Sequence, residues 1–496
     1  MPILISALDK SSPIQLCEQL LEKITLMISQ GILKPGTRLP SCRKLAAQMA
    51  ISNNTVVSAY QNLIARGMVE SRPRRGYFVH HQLLRTELAS EFFPANEQQK
   101  ITRLFELLKP VIHPSLSQTI QRPENWAEYP FPFVCNQMDM ARFPLTDWRT
   151  CCYKVLDSHH ATQISCDYRY SDCKELVEQI RTRILPQRGV IANENEILIT
   201  SGATQALYLI SNLFGSQKNK IAVEDPCYPD ARNIFDQFFG GITPIGLDNE
   251  GMLIDEQLSS CQLAYITPNH QFPTSIRMSV SRRRQLLDYA KLHKLVIIED
   301  DYDGETDFDT KIEPALRSQQ GGDQVIYIGS LSKSHSPGLR VGYMVASPDF
   351  INEARALRGM MIRHLPPLIQ VATAQFIRQG YHDALLSKLR RIYKRRSKVA
   401  SQALSQYFSD MQISHGSGGT NFMITAPAHI DLTELGKYAL DLGVVIENIN
   451  PCFNQSSHGK NKFRLGVSAI STKKIVPGIK RLREAYEKLY HESIQV

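Results

Sequence analysis

The chain has 496 residues, 43% of them apolar and 21% charged, enough to build several buried cores and too apolar for a disordered protein. Its ten cysteines form no Cys-x-x-Cys pair, and no apolar run reaches membrane-spanning length, so a zinc site, a disulfide framework and a membrane anchor are all excluded as expectations. The net charge of +9 is uneven: residues 1–80 hold ten Lys/Arg against four Asp/Glu, which points to a polyanion as the partner of that segment.

From Pro13 to Gln30, Ile14, Leu16, Leu20, Leu21, Ile24, Met27 and Ile28 recur at helical spacing, and Gly31 supplies a stop. The first ten residues lack the basic start and long apolar stretch of a signal peptide, so a cytoplasmic location is expected. After Lys34-Pro35-Gly36, Ser41 can cap a short helix through Leu45, Ala46 and Met49, and Ser52 can cap another from Asn53 to Arg66. Met68-Val69-Glu70 and Tyr77-Phe78-Val79 alternate as two small strands around a basic loop, Ser71 to Gly76. Asn53, Asn54 and Thr55 offer polar groups to base edges and phosphates, while Arg43, Lys44, Arg72, Arg74 and Arg75 can meet the phosphate backbone. On these features alone, DNA binding and a protein-binding three-helix bundle stand about equal. The run Leu39-Pro40-Ser41-Cys42-Arg43-Lys44-Leu45-Ala46, then Ile51-Ser52-Asn53-Asn54-Thr55-Val56 and Ala59-Tyr60, resembles the GntR-type winged helix, and the resemblance favours double-stranded DNA as partner. Two departures, Asn53 where that family often has arginine and a Pro73-Arg74-Arg75-Gly76 wing, bear on base preference.

The winged helix-turn-helix domain is placed at residues 10–80 and a linker at 81–128, with some helix expected over Gln99 to Leu108. The remainder, 129–496, divides at about residue 350 into a large subdomain from about 160 and a small one from about 351. Asp139, Phe143-Pro144 and Trp148 are similar to the start of the aminotransferase-like domain of MocR-type regulators.

Beyond Ile164, apolar strands at Glu196–Thr200, Ile221–Glu224, Leu263–Thr267, Leu295–Glu299 and Val325–Ile328 alternate with helical patterns such as Ser281–His293. This is an α/β pattern, a mainly parallel sheet with ligands expected at the strands' carboxyl ends. Ser201-Gly202-Ala203-Thr204-Gln205 opens a helix there and can form a phosphate cup or a plain cap. Tyr228 follows in Glu224-Asp225-Pro226-Cys227-Tyr228-Pro229, either near a ligand or in the core. Asp300-Asp301-Tyr302-Asp303 closes the fourth strand, with Asp301 and Asp303 expected at solvent or holding the loop. After the fifth strand, Gly329-Ser330-Leu331-Ser332-Lys333-Ser334-His335-Ser336-Pro337-Gly338-Leu339-Arg340 sets a lysine amine among hydroxyls, with an arginine seven positions on. A lysine can condense with an aldehyde, and hydroxyls and an arginine can hold a phosphate; pyridoxal 5′-phosphate carries both groups.

The order of these loops resembles fold-type I aminotransferases. The resemblance implies a pyridoxal 5′-phosphate site in which Lys333 forms the aldimine and Asp300 faces the pyridine nitrogen. Tyr302 and Tyr228 would lie near the ring, and Ala203, Thr204, Ser330, Ser332 and Arg340 around the phosphate. It also implies that Arg464, in Lys462-Phe463-Arg464-Leu465-Gly466-Val467, grips an effector carboxylate. One departure is informative: Pro268-Asn269-His270-Gln271-Phe272-Pro273-Thr274 has Phe272 where aminotransferases usually have asparagine, a form similar to MocR-type regulators. His270 is read as structural, with a ligand-proximal base as the alternative. The basic run Lys388–Lys398 is read as a solvated helix face, with a DNA or inter-domain contact as the alternative.

Together these features resemble the MocR type, a GntR-type winged helix fused to a fold-type I aminotransferase-like domain. The resemblance implies a cytoplasmic homodimer, the winged helix of one chain over the partner's aminotransferase-like domain, that senses an amino acid or other amine by aldimine exchange at Lys333. An active aminotransferase with a DNA-binding appendage, and a regulator of which pyridoxal phosphate itself is the effector, are the alternatives.

Overall fold

A computed structural model describes residues 8–9, 12, 14–80, 119–157, 164–167, 171–308, 313–331, 336–416 and 418–494. Two compact units result, 1–112 and 113–496. The helix expected over 99–108 lies outside the described residues, as do Ser332 and Lys333.

The first unit holds α1 (Leu16–Ser29), α2 (Cys42–Met49), α3 (Asn53–Ala65) and a hairpin of β1 (Val69–Arg72) and β2 (Gly76–Val79). Both serine caps form: Ser41 Oγ accepts the Lys44 N–H at 3.4 Å and Ser52 Oγ that of Thr55 at 3.1 Å. Leu20, Ile24, Leu45, Val56, Tyr60 and Leu63 close one core across the three helices. Such a small core depends on every large side chain, and Tyr60 adds a hydrogen bond to the Pro40 carbonyl at 2.9 Å.

The larger unit begins with β3 (Phe131–Pro132). Its main sheet contains β4 (Ile197–Thr200), β5 (Lys220–Asp225), β6 (Gly241–Asp248), β7 (Gly251–Met252), β8 (Leu263–Ile266), β9 (Val296–Asp301), β10 (Val325–Ser330) and β11 (Gly342–Val345). The order is β4-β11-β10-β9-β8-β5-β6-β7, with β6, β5, β8, β9 and β10 parallel and β11 antiparallel to both its neighbours. Helices cover both faces, which is why the central strands read as unbroken apolar runs rather than alternating ones. Ile298, Ile328 and Met344 pack on one side of the sheet; Ile199, Tyr327 and Tyr343 pack on the other. Strands β6, β7 and β11 were not expected from sequence. β11 is a four-residue run after a loop, and β6 is interrupted by Pro244 and Gly246.

A second sheet contains β12 (Gln412–His415), β13 (Asn421–Thr425), β15 (Glu447–Asn448) and β16 (Lys462–Gly466), while β14 (Val444–Val445) pairs with β3. The long helix Tyr381–Tyr407 and the last helix, Thr472–Ile494, cover it through Ala400, Leu404, Phe408, Ile479 and Leu482. In the basic run, Arg396 is buried against the Ser468 carbonyl and Asp139, while Lys388, Arg391, Lys394, Arg395 and Lys398 are exposed. No described helix is long and apolar enough to cross a membrane.

Candidate functional site

In the first unit, Arg43, Lys44, Asn53 and Asn54 are exposed and Thr55 is half-buried, so the start of α3 and the adjacent turn of α2 present polar groups outward. Arg74 and Arg75 are exposed at the tip of the hairpin, Arg74 with a φ of +61°. Arg72 differs from them. Its guanidinium is hydrogen-bonded to Glu70 at 2.6 and 3.0 Å and lies 4.7 Å over the Phe78 ring, so it braces the wing from within.

In the larger unit, a cavity of about 420 Å³ opens at the carboxyl ends of the parallel strands, large enough for a cofactor-sized ligand. Ala203, Thr204, Tyr228, Asp300, Tyr302, Ser330 and Arg340 all border it, although they span 138 positions of sequence. The sheet is what gathers them: they lie at or just beyond the carboxyl ends of four strands, β4, β5, β9 and β10.

At one end, Gly202 leads into the helix Ala203–Phe214 with a φ of +80°. That φ favours glycine, and a β-carbon there would lie 2.7 Å from Arg340 Nη2, so a larger residue would also displace the guanidinium. Arg340 Nη2 donates to the Ser201 carbonyl at 3.2 Å. First-turn amides of the helix, the Thr204 and Ser330 hydroxyls and this guanidinium therefore converge, which is the composition of an anion site.

At the floor, Asp300, the penultimate residue of β9, is 3% exposed and accepts the Tyr265 hydroxyl at 2.9 Å. Burial, then the charge of Asp300, keeps that hydroxyl protonated. The strand's alternation sends Asp301 to the opposite face. Contrary to the sequence expectation, Asp301 is buried there: its Oδ2 accepts Arg188 Nε at 2.6 Å and the Tyr327 hydroxyl at 2.7 Å. Asp303 is buried too, 3.0 Å from His270 Nδ1. The sequence placed Asp301 and Asp303 at solvent or holding the loop, but each has a distant partner that local pattern does not reveal.

The side wall is aromatic. Phe272, 5% exposed, stands between Tyr228 and Tyr302, with ring centroids 5.2 and 6.1 Å away. Its loop is pinned: the Phe272 N–H donates to Thr267 Oγ1 at 3.0 Å, and Glu224 accepts from Thr267 Oγ1 at 2.7 Å and Gln271 Nε2 at 3.2 Å. Burial pushes the Glu224 carboxyl up to about 7 against those hydrogen bonds. Burial raises the Tyr228 hydroxyl, which donates to Asp230 at 2.7 Å, and burial with the Asp303 charge raises that of Tyr302. Arg464 is wholly buried against this wall, its guanidinium 4.3 Å from the Phe272 ring. It does not border the cavity.

Two residues of the cavity's rim carried no sequence signal. Arg122 belongs to a stretch without periodicity that reads as linker, and Glu447 to a two-residue strand. Both are brought to the site only by tertiary structure.

An anion cup, a buried carboxylate floor and an aromatic wall fit a flat heteroaromatic ligand bearing a phosphate. Residues 136–482 match the family of aminotransferase class I and II, more than half of the chain, and residues 16–79 match the gntR family of bacterial regulatory proteins. The chain is 32% identical to the HTH-type transcriptional regulator TauR of Rhodobacter capsulatus, over 93% of this chain and 96% of that protein. It is 27% identical to the probable rhizopine catabolism regulatory protein MocR of Rhizobium meliloti, over 97% and 95% respectively. Among solved structures, the kynurenine aminotransferase of Pyrococcus horikoshii superposes with a TM-score of 0.66 at 24% identity, covering 80% of this chain and 95% of that one, a likeness of fold. Aminotransferases of this fold bind pyridoxal 5′-phosphate, and the donor set of the cavity suits it. Two domain matches in this order, with relatives aligned along nearly the whole chain, identify the protein as a MocR-type transcriptional regulator: a gntR-family winged helix joined to a fold-type I aminotransferase domain.

Proposed function

We propose that this protein is a cytoplasmic homodimeric regulator whose DNA binding responds to an amino acid or other amine entering the pyridoxal phosphate cavity. The observation that carries the reading is the meeting of Asp300, Arg340 and the Gly202 cradle around one cavity in a chain that also has a winged helix. When bound, the cofactor supplies an aldehyde carbon at which a lysine and an arriving amine can replace one another. Ala203, Thr204, Ser330, Ser332 and Arg340 hold its phosphate, Asp300 keeps the ring nitrogen protonated, and Tyr228 and Tyr302 border the ring. Lys333 is the attachment point, and its release by an amine shifts the protein between two states of different DNA affinity. Phe272 supports a sensor over an efficient transaminase: it occupies the wall with an apolar ring where an aminotransferase usually presents an asparagine donor to the ring oxygen.

Titration of the purified protein with pyridoxal phosphate should produce a visible absorbance band that a competent amine shifts, with a parallel change in affinity for DNA from the chain's own upstream region. Lys333→Ala should lack the band and the amine response. A band of undiminished amplitude in that variant would overturn the assignment of Lys333. Steady keto-acid-dependent turnover at the rate of ordinary aminotransferases would favour the enzyme instead, and DNA binding that responds to the cofactor but to no amine would favour the cofactor itself as effector.

The wing has its own test. Arg74→Ala with Arg75→Ala should weaken DNA binding across sequences and reduce the slope of log affinity against log salt by about 0.9 for each phosphate that is no longer neutralised. Arg72→Ala acts differently, because Glu70 already holds that side chain. An unchanged slope in the Arg74/Arg75 double variant would remove the tip from the interface.

A further inference from the structure

Part of the cavity wall does not come from the sheet. Thr119, Ile120 and Arg122 border the cavity, and residues 81–118 of the chain join them to the winged helix. They belong to the larger unit, whose bounds are 113–496. Ile120 packs against a cluster with two origins: Phe272 and Tyr302 follow strands β8 and β9, whereas Ile449, Cys452 and Phe453 follow β15 of the second sheet. It is only half-buried there, on the border of the cavity.

This stretch is held by packing. Asp300 lies in a ladder with β10, and the Phe272 loop is pinned at Thr267, but no hydrogen bond to another described residue fixes Thr119, Ile120 or Gln121. Arg122 approaches Glu447 no closer than 3.8 Å, beyond hydrogen-bond reach. Hydrogen-bonded chain begins further on, where the Trp126 N–H donates to the Pro123 carbonyl at 3.1 Å and the Phe131 N–H to that of Gly443 at 3.0 Å. An apolar contact responds to what covers it. A ligand in the cavity removes more water from Ile120 and so favours the packed arrangement of this stretch over a displaced one, and that differential affinity is what coupling requires.

We infer that Thr119–Arg122 is the coupling element of the protein: occupancy of the cavity holds Ile120 in place, and Ile120 fixes the point from which residues 81–118 lead to the winged helix. The inference rests on the proposed sensing function and adds the element that passes the signal on. Ile120 is a positioning residue in this account. Its linkage is reciprocal, so bound DNA changes ligand affinity by the factor by which ligand changes DNA affinity.

The test uses the full-length protein with Trp148→Phe, which keeps an aromatic ring against Phe143 and Phe376 and leaves Trp126 as the single tryptophan, just beyond Arg122. This reference is compared with the same protein carrying Ile120→Ala or Ile120→Val. Occupancy is changed in two steps, by pyridoxal phosphate added to the apoprotein and by ethylamine or L-alanine added to the loaded protein. Each variant is taken to saturation by its absorbance band, so altered ligand affinity does not enter. Affinity for DNA from the chain's own upstream region and the emission maximum of Trp126 are read at every step. In the reference, at least one step should change DNA affinity by about five-fold or more, the lower end of ordinary allosteric coupling, with a shift of Trp126 emission at the same step. Ile120→Ala should still saturate but change DNA affinity by less than about two-fold, with the emission shift lost. Ile120→Val, which keeps most of the apolar contact, should restore both. A full DNA response in Ile120→Ala, a fixed Trp126 emission while the reference responds, or no recovery in Ile120→Val would overturn the inference and leave sensing intact. A reference protein whose DNA affinity changes at neither step would overturn the sensing proposal and this inference together.

Discussion

Asp301→Ala is expected to destabilise the larger unit by about 3–5 kcal/mol, the range for removing one partner of a buried ion pair. Arg188 is 4% exposed, and Asp301 supplies the carboxylate at 2.6 Å that holds it charged. Without that carboxylate the buried guanidinium loses its hydrogen-bonded counter-ion, and the Tyr327 hydroxyl loses its acceptor at 2.7 Å. The first calorimetric transition of the larger unit should fall by several degrees, and proteolysis there should quicken. Replacing both partners, Asp301→Leu with Arg188→Met, should recover most of the loss, since the cost comes from the orphaned charge rather than the absent pair. If the single and the double variants melt together, the ion pair is not the source of the effect.

Asp300→Asn, one residue away, is expected to do the reverse. Asparagine keeps the shape and an acceptor for Tyr265, so stability should stay within about 1 kcal/mol. In the role proposed for Asp300, what disappears is the negative charge that would keep the cofactor's ring nitrogen protonated. A charge-assisted hydrogen bond contributes about 1.5–3 kcal/mol, which corresponds to roughly ten- to hundred-fold weaker cofactor affinity. Absorbance titration with pyridoxal phosphate measures this directly. Equal affinity in wild type and variant would remove Asp300 from the role proposed for it.

This pair of neighbours also shows what sequence can and cannot carry. Helix caps at Ser41 and Ser52, the glycine before Ala203 and the strand that delivers Asp300 are local: spacing of a few residues specifies them, and the chain could be read for them directly. The winged helix was legible for the same reason, being short-range throughout. Asp301 was misjudged because its partner Arg188 is 113 positions away. Arg122 and Glu447 were invisible for a related cause: 325 positions separate them, and neither lies in a segment with a period of its own. Arg464 was legible as chemistry but not as position. A strand pattern says that a side chain alternates inward, and says nothing of the phenylalanine from another loop whose ring the guanidinium meets at 4.3 Å.

Strand β9 lies between β8 and β10, with Glu299 in register with Ile266 and Asp300 with Ile328. Glu299 and Asp301 serve the scaffold on one face, where Glu299 accepts the Leu316 and Arg317 amides at 2.9 and 3.1 Å, and Asp300 alone serves the cavity on the other. A slip of one residue would exchange the two aspartates and turn the whole strand inside out. The position of the cavity carboxylate is therefore quantised. It cannot drift gradually out of tune, and damage to the surrounding ladder should split a population into molecules that take up cofactor normally and molecules that take up none.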